Sequence, residues 1–271
     1  MSSYVITGAS RGIGWEFLRQ LSSDSNNTVI GLVRSKFSTE QKMKEELSER
    51  SNIHIVQADI TDYAALQAAV AETANITGGG LDYLIANAGM VSHFDAYDPI
   101  GVLGQQPKAL EEDLTNLFKV NVVSNIHLFN LFTPLILKGE AKKVITISSG
   151  QAALDAIPKL GIEVASLYAI SKAGLNTAVA KFSAQYAKNG VLFMSICPGM
   201  VDTGHFNDAT PEQMNGLAGM LGAFAEYAPN FKGPSTPEAA VKDVISVMNN
   251  ASVKGGSGGS FVSHYGNQQW L

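Results

Sequence analysis

Tyr168 and Lys172 stand four positions apart in SLYAISKAGLNTAVAK, a stretch of helical periodicity, and that spacing puts both on one helix face. A free tyrosine gives up its proton near pH ~10, too high for efficient transfer at neutral pH. A neighbouring ammonium favours the phenolate and lowers that value, so the pair has the makings of a tuned proton donor. Tyrosine and lysine also fall four apart on many helices by chance. Ser149 closes a β-like run 19 positions before Tyr168, and the residues between them raise the question whether the serine belongs to the same site.

Immediately after the first β-like run comes TGASRGIG, in which Gly8, Gly12 and Gly14 open a helix-like stretch and Ser10 and Arg11 lie inside the turn. Glycine permits a tight turn and lets backbone amides approach a pyrophosphate, whose charge the helix N-terminus stabilises. A plain strand-to-helix turn is the alternative; the position within the first βα unit favours dinucleotide binding. The second β-like run ends in GLVRS. Folds that prefer NAD place Asp or Glu roughly 20 residues past the glycines, whereas an Arg nearby accommodates the 2′-phosphate of NADP. Arg34 stands 20 positions after Gly14, with Arg11 and Lys36 as further cations, so NADP(H) is the expected cofactor. The alternative is that the arginines are solvated surface residues.

Short apolar or β-branched runs alternate with longer helix-period segments along the whole chain, the pattern of βαβ units and a parallel sheet. Strands are expected near 3–7, 28–33, 53–57, 81–86, 142–147, 191–196 and 259–262, and helices near 13–22, 38–50, 62–75, 109–137, 165–189 and 236–250. The expected fold is α/β, a single-domain Rossmann fold over 1–271 with a doubly wound, seven-stranded parallel sheet and helices on both faces. The least regular stretches, 90–108, 150–164 and 199–235, begin at strand carboxyl ends, where open parallel sheets bind ligands. They are expected to form the substrate pocket.

Composition narrows the partners. A 45% hydrophobic and 16% charged chain of net charge −5, with no dense basic stretch, is unsuited to nucleic acid or an anionic membrane and points to a small-molecule partner. Cys197 is the only cysteine, no apolar run approaches the ~20 residues of a membrane span, and MSSYVITGAS enters a strand pattern after three residues. A cytoplasmic location is expected. The five histidines are far apart in sequence, and no metal is expected.

TGASRGIG (7–14), ANAG (86–89), Asn121 in KVNVVSN, ISS (147–149), YAISK (168–172) and PGMVDT (198–203) together resemble the short-chain dehydrogenase/reductase family over nearly the whole chain, nearest to its carbonyl reductase or "sniffer" branch and fungal ketoreductases. The resemblance implies that Tyr168 gives a proton to a substrate carbonyl, that Lys172 holds the nicotinamide ribose and lowers the tyrosine pKa, that Ser149 hydrogen-bonds the carbonyl oxygen, and that Asn121 positions a proton-relaying water. It further implies that Ile13 covers the cofactor, that Asp59 and Ile60 flank the adenine, and that Asn87, Ala88 and Gly89, with Lys119, line its middle. Pro198, Val201 and Thr203 would hold its nicotinamide end. Relatives of this kind are often homodimers or homotetramers.

Two features depart from the family pattern. Ala86 replaces the first asparagine of the usual NNAG motif, and the interval from Ser149 to Tyr168 is long. Its apolar residues, Leu154, Ile157, Leu160 and Ile162, read as a pocket wall or as a subunit contact. A loop can lengthen without moving its ends, since doubling its length costs only ~0.6 kcal/mol in closure entropy. Phe94, Met200 and Phe206 are candidate substrate contacts, and 199–235 reads as a lid. The expected activity is NADPH-dependent reduction of a partly apolar ketone or aldehyde; a biosynthetic cyclase or isomerase of the same fold, or a non-redox NADP-binding regulator, are the alternatives.

Overall fold

A strand covered on both faces must be apolar nearly throughout, and the central runs of this sequence meet that condition: β1 (Ser3–Thr7), β2 (Thr28–Val33), β4 (Tyr83–Ala86), β5 (Lys143–Ile147) and β6 (Leu192–Cys197) are almost wholly buried. The computed structural model describes residues 1–271 apart from Gly216. With β3 (Ile53–Gln57) and β7 (Phe261–Ser263) these strands form one all-parallel, seven-stranded sheet in the order β3-β2-β1-β4-β5-β6-β7. Strand order reverses between β1 and β4, the switch point at which a doubly wound sheet opens a ligand crevice.

The helices are α1 (Gly12–Leu21), α2 (Lys36–Glu46), α3 (Tyr63–Thr77), α4 (Ile100–Leu103), α5 (Pro107–Phe118), α6 (Ser124–Ile136), α7 (Ala156–Leu160), α8 (Ser166–Tyr186), α9 (Pro211–Tyr227) and α10 (Pro237–Asn250). Successive strand residues point to opposite faces, so the sheet has two cores. Ile6, Ile85, Ile145 and Met194 pack against Phe17 and Leu18 of α1 and Val241, Val244 and Met248 of α10. Val5, Leu84, Val144 and Phe193 pack against Leu66 of α3, Phe129 and Phe132 of α6 and Leu175 of α8.

The structure departs from the sequence expectation in two places that matter to the site. The helix expected over 109–137 is interrupted by a wide π turn at Lys119–Val123. Side chains take over carbonyls there: Ser124 Oγ donates to Lys119 O at 2.8 Å and Asn125 Nδ2 to Asn121 O at 2.9 Å. Second, the stretch 199–235, expected to be irregular, contains the 17-residue helix α9. Its start carries a reciprocal cap, with Thr210 Oγ1 accepting from Gln213 N at 3.3 Å and Gln213 Oε1 from Thr210 N at 2.8 Å, and proline in the first turn. A bridge between Val201 and Ser235 pins the two ends of this excursion together. Among the described residues no helix is long and apolar enough to cross a membrane.

Candidate active site

The glycine turn lies at the switch point. Gly8 has a φ of +69° and approaches the β4 loop so closely that a Cβ there would sit 3.0 Å from Ala88 Cα; a Cβ on Gly14 would strike the Gly8 carbonyl. Thr7 locks the two loops together, its Oγ1 accepting from Asn87 N at 3.1 Å and Ala88 N at 2.9 Å, while Asn87 Nδ2 donates to Thr7 O at 3.0 Å. The first turn of α1 has neither a side-chain cap nor an acidic residue, so its amides face outward with a positive partial charge. Ser10, Arg11 and Arg34 are exposed and Ile13 is half-buried against the α1 core. Lys36 pairs with Glu40 at 3.8 Å.

At the far end of the crevice Asp59 accepts from Thr61 N and Oγ1, both at 2.8 Å. The Thr61 amide chiefly holds its carboxyl below the usual range, and Arg34 and Lys119 add their charges. These three residues are thereby brought into one neighbourhood, with Ile60 buried beside them.

The chemistry-bearing residues converge where β5 and α8 meet. Lys172, only 4% exposed, donates from Nζ to the Ile147 carbonyl at 2.9 Å, and its Nζ lies 5.7 Å from the centre of the Tyr168 ring. Gly89 faces the same point: a Cβ there would be 3.3 Å from Lys172 Nζ and 3.2 Å from Asn121 Oδ1. Asn121, in the π turn, accepts from Met90 N at 2.7 Å and donates from Nδ2 to Met90 O at 3.0 Å and Ser171 Oγ at 2.9 Å. Its side chain is therefore fully engaged in joining the β4 loop to α8. Ser149 and Tyr168 line one cavity, so the long interval between them does not separate the two residues.

Burial acts on both members of the helical pair in opposite directions. It pushes the Tyr168 phenol upward, with the Ser149 hydrogen bond opposing it, and lowers the Lys172 ammonium to about 8. The tyrosine shift runs against the lowering that the family resemblance implies, because desolvation of the phenolate outweighs the other influences on it here.

Tyr168 and Ser149 share a cavity of about 430 Å³ whose walls are mainly apolar. Ala156, Leu160 and Ile162 of the long interval line it, as do Met214, Leu217, Met220 and Phe224 of α9 and Met200, Val201, Thr203 and Phe206 before that helix. Pro198 is buried behind them. Phe94 is not among the lining residues and packs instead with Leu103, Leu117, Leu167 and Tyr168. His93 and His205 stack at 4.8 Å and link the 90–108 and 199–235 segments. Among the described residues no group of three His, Cys, Asp or Glu is arranged to hold a metal ion.

Three residues outside the expected catalytic and cofactor set build the site. The fully buried Asp95 accepts from Leu167 N at 2.9 Å and Tyr168 N at 2.7 Å, capping α8 from a loop 73 positions earlier in the chain; Ala165, at the helix start, has no side chain that can do so. Cys197 Sγ accepts from Gly150 N at 3.0 Å and Gly199 N at 3.4 Å, holding together the turns that follow β5 and β6. Trp270 stacks on Phe261 at 4.5 Å and covers Gly150, leaving a Cβ there only 3.0 Å of room.

The family described as short chain dehydrogenase matches residues 3–214. The chain is a short-chain dehydrogenase/reductase. This dehydrogenase/reductase is 66% identical to the short chain dehydrogenase virK of Hypocrea virens, over the full length of both chains, and 54% identical to the short-chain dehydrogenase/reductase iacC of Pestalotiopsis fici, again over the full length of both. Its fold is similar to that of an NADPH-bound carbonyl reductase from chicken fatty liver, at a TM-score of 0.77, 24% identity and 98% coverage of each chain. The carbonyl reductase Sniffer of D. melanogaster is as similar, at 0.77 and 21% with the same coverage.

Asp95→Ala leaves the first amides of α8 without their carboxylate and is expected to lower the unfolding free energy by about 1–2 kcal/mol in urea titrations. Asp95→Asn, which keeps one acceptor oxygen, should lose less. Lys172 binds its proton less tightly when folded, so between pH 8 and 10.5 the unfolded chain holds a proton that the native state has released, and the lysine's contribution to stability rises with pH across that window. In urea melts of the cofactor-free protein, the stability difference between wild type and Lys172→Met should therefore shift toward the wild type from pH 8 to 10.5; a difference independent of pH would contradict it.

Proposed function

We propose that this dehydrogenase/reductase is an NADPH-dependent carbonyl reductase that converts a partly apolar ketone or aldehyde to the alcohol, and can run the reverse oxidation. The observation that carries the reading is that Ser149 and Tyr168 share the wall of an apolar cavity, with Lys172 buried on the same helix and held to the end of the strand that leads to Ser149.

The residues present suit NADP(H). The uncapped first turn of α1 offers amides to a pyrophosphate, and Gly8, Gly12 and Gly14 keep its approach clear of side chains. Arg11 and Arg34 are exposed, and among the described residues neither has a carboxylate partner, so both guanidinium groups are available to a 2′-phosphate. Asp59, Ile60 and Lys119 would flank the adenine, Ile13 and Asn87 to Gly89 the middle, Lys172 the ribose, and Pro198, Val201 and Thr203 the nicotinamide. The chicken carbonyl reductase of similar fold is NADPH-bound, and a short chain dehydrogenase of Burkholderia cenocepacia at TM-score 0.72 is in complex with NADP.

When bound, NADPH supplies a hydride to the carbonyl carbon. Tyr168 donates its proton to the carbonyl oxygen and Ser149 donates a hydrogen bond to that same oxygen. Burial raises the phenol pKa, so Tyr168 holds its proton at neutral pH but gives it up less readily than a free phenol does. Asn121 holds the Met90 loop against α8 and so keeps Lys172 in register with the tyrosine. In this reading residues 1–271 act as one domain in the cytoplasm, on a small molecule, within a homodimer or homotetramer.

NADPH oxidation followed by absorbance against a ketone panel tests the reading: turnover is expected with partly apolar ketones, and folded, NADPH-binding protein that reduces none would refute it. Tyr168→Phe should lower kcat by about 10²–10⁴-fold while NADPH still binds. Arg34→Ala is expected to weaken NADPH by about 10-fold or more and leave NADH affinity little changed, since a hydrogen bond to a charged group is worth about 1.5–3 kcal/mol.

A further inference from the structure

Two side chains in the cavity wall have no part in the reaction as described. Gln151 lies two positions past Ser149, and His205 lies in the segment leading to α9; both line the cavity. Asp202, Thr203 and Asn207 also line the wall and are exposed to water. Gln151 and His205 are not, and each carries a buried polar atom with no partner in the protein, Gln151 Oε1 and His205 Nε2. The other end of the Gln151 amide has one weak contact, Nε2 to Met220 Sδ at 3.9 Å. The amide is thus poorly satisfied whichever way it is turned. Native structures keep few such atoms; both lie just behind the cavity surface, and a turn of either side chain carries its unpaired atom into the cavity, which suits a ligand that brings its own hydrogen-bonding groups.

The apolar walls indicate the rest of that ligand. Met200, Met214 and Met220 combine with Phe206 and Phe224, and thioethers and aromatic rings both pack favourably on a flat ring. A volume of about 430 Å³, part of it beside the Val201 and Thr203 assigned to the nicotinamide, leaves room for a molecule of the size of two fused rings. We infer that the substrate is an aromatic ketone bearing a ring hydroxyl, and that Gln151 and His205 select for that hydroxyl. The inference rests on the reading of this cavity as the ketone site of a reductase. His205, whose pKa burial and His93 both lower, is neutral at neutral pH and can pair with a phenol as donor or acceptor. Gln151 Oε1 accepts from the phenol once the amide turns toward the cavity and gives up its weak contact with Met220 Sδ.

The test uses tetralone and its ring-hydroxylated isomers, titrated calorimetrically into the full chain saturated with NADP+ and assayed for reduction with NADPH. At least one hydroxytetralone should bind about 10-fold more tightly than tetralone and show a kcat/KM higher by a similar factor. Gln151→Met and His205→Phe should each narrow that preference, and the double variant should bring it within about 2-fold of unity. A merely structural effect of either substitution moves both ketones together and leaves their ratio unchanged. The inference is overturned if no isomer is preferred by the wild type, or if the preference survives the double substitution. A preference in binding without reduction of any ketone would overturn the reductase reading and leave the hydroxyl selection standing.

Discussion

The Lys172 ammonium, buried where α8 crosses the tip of β5, meets the Ile147 carbonyl at 2.9 Å, and the geometry of the site follows from that contact. A buried charge has to find a partner, and the partner it finds is the last residue of a strand. The bond holds the helix face that carries Tyr168 against the strand end from which Ser148 and Ser149 continue. The intervening residues are then free to loop outward into the 3₁₀ turn at Gly150–Ala152 and α7, because the two ends of the interval are set by a strand and a helix and not by its length.

Around that contact the structure adds restraints from parts of the chain distant in sequence. Asp95 caps the first turn of α8, Asn121 ties the Met90 loop to Ser171, and Cys197 and Trp270 brace the turn that follows Ser149. The Asp95 carboxylate is buried deeply enough that its pKa rises even with two amides donating to it, which shows how strongly the site excludes water. The same exclusion raises the tyrosine and lowers the lysine, so one physical cause acts on both in opposite directions.

Much of the architecture is legible in the chain because it rests on local patterns. Continuous apolar runs such as TVIGLV and LFMSIC mark buried parallel strands, and TGASRGIG marks the turn at the switch point. The cap of α9 is also local: Thr210 and Gln213 around Pro211 form a helix start that the surrounding glycines and methionines obscure. The interruption at Lys119–Val123 is different in kind. Helical periodicity runs through it, and within it Asn121 bonds Met90 of another loop, a partner that periodicity does not reveal.

By itself, the sequence determined the α/β alternation, the seven strands, the glycine turn, and the residue types from which proton transfer and dinucleotide binding can be assembled, since each depends on neighbours in the chain or on a fixed helical or strand period. Tertiary structure decided what those residues experience. It put Ser149 and Tyr168 on the wall of one cavity, packed Phe94 against Leu103, Leu117 and Leu167 and not in that cavity, brought Asp95 to a helix 73 positions away, and left Gln151 and His205 with unpaired atoms. Burial and hydrogen-bond satisfaction are properties of the folded packing, set by which distant segments come to share a space, and no local pattern encodes them.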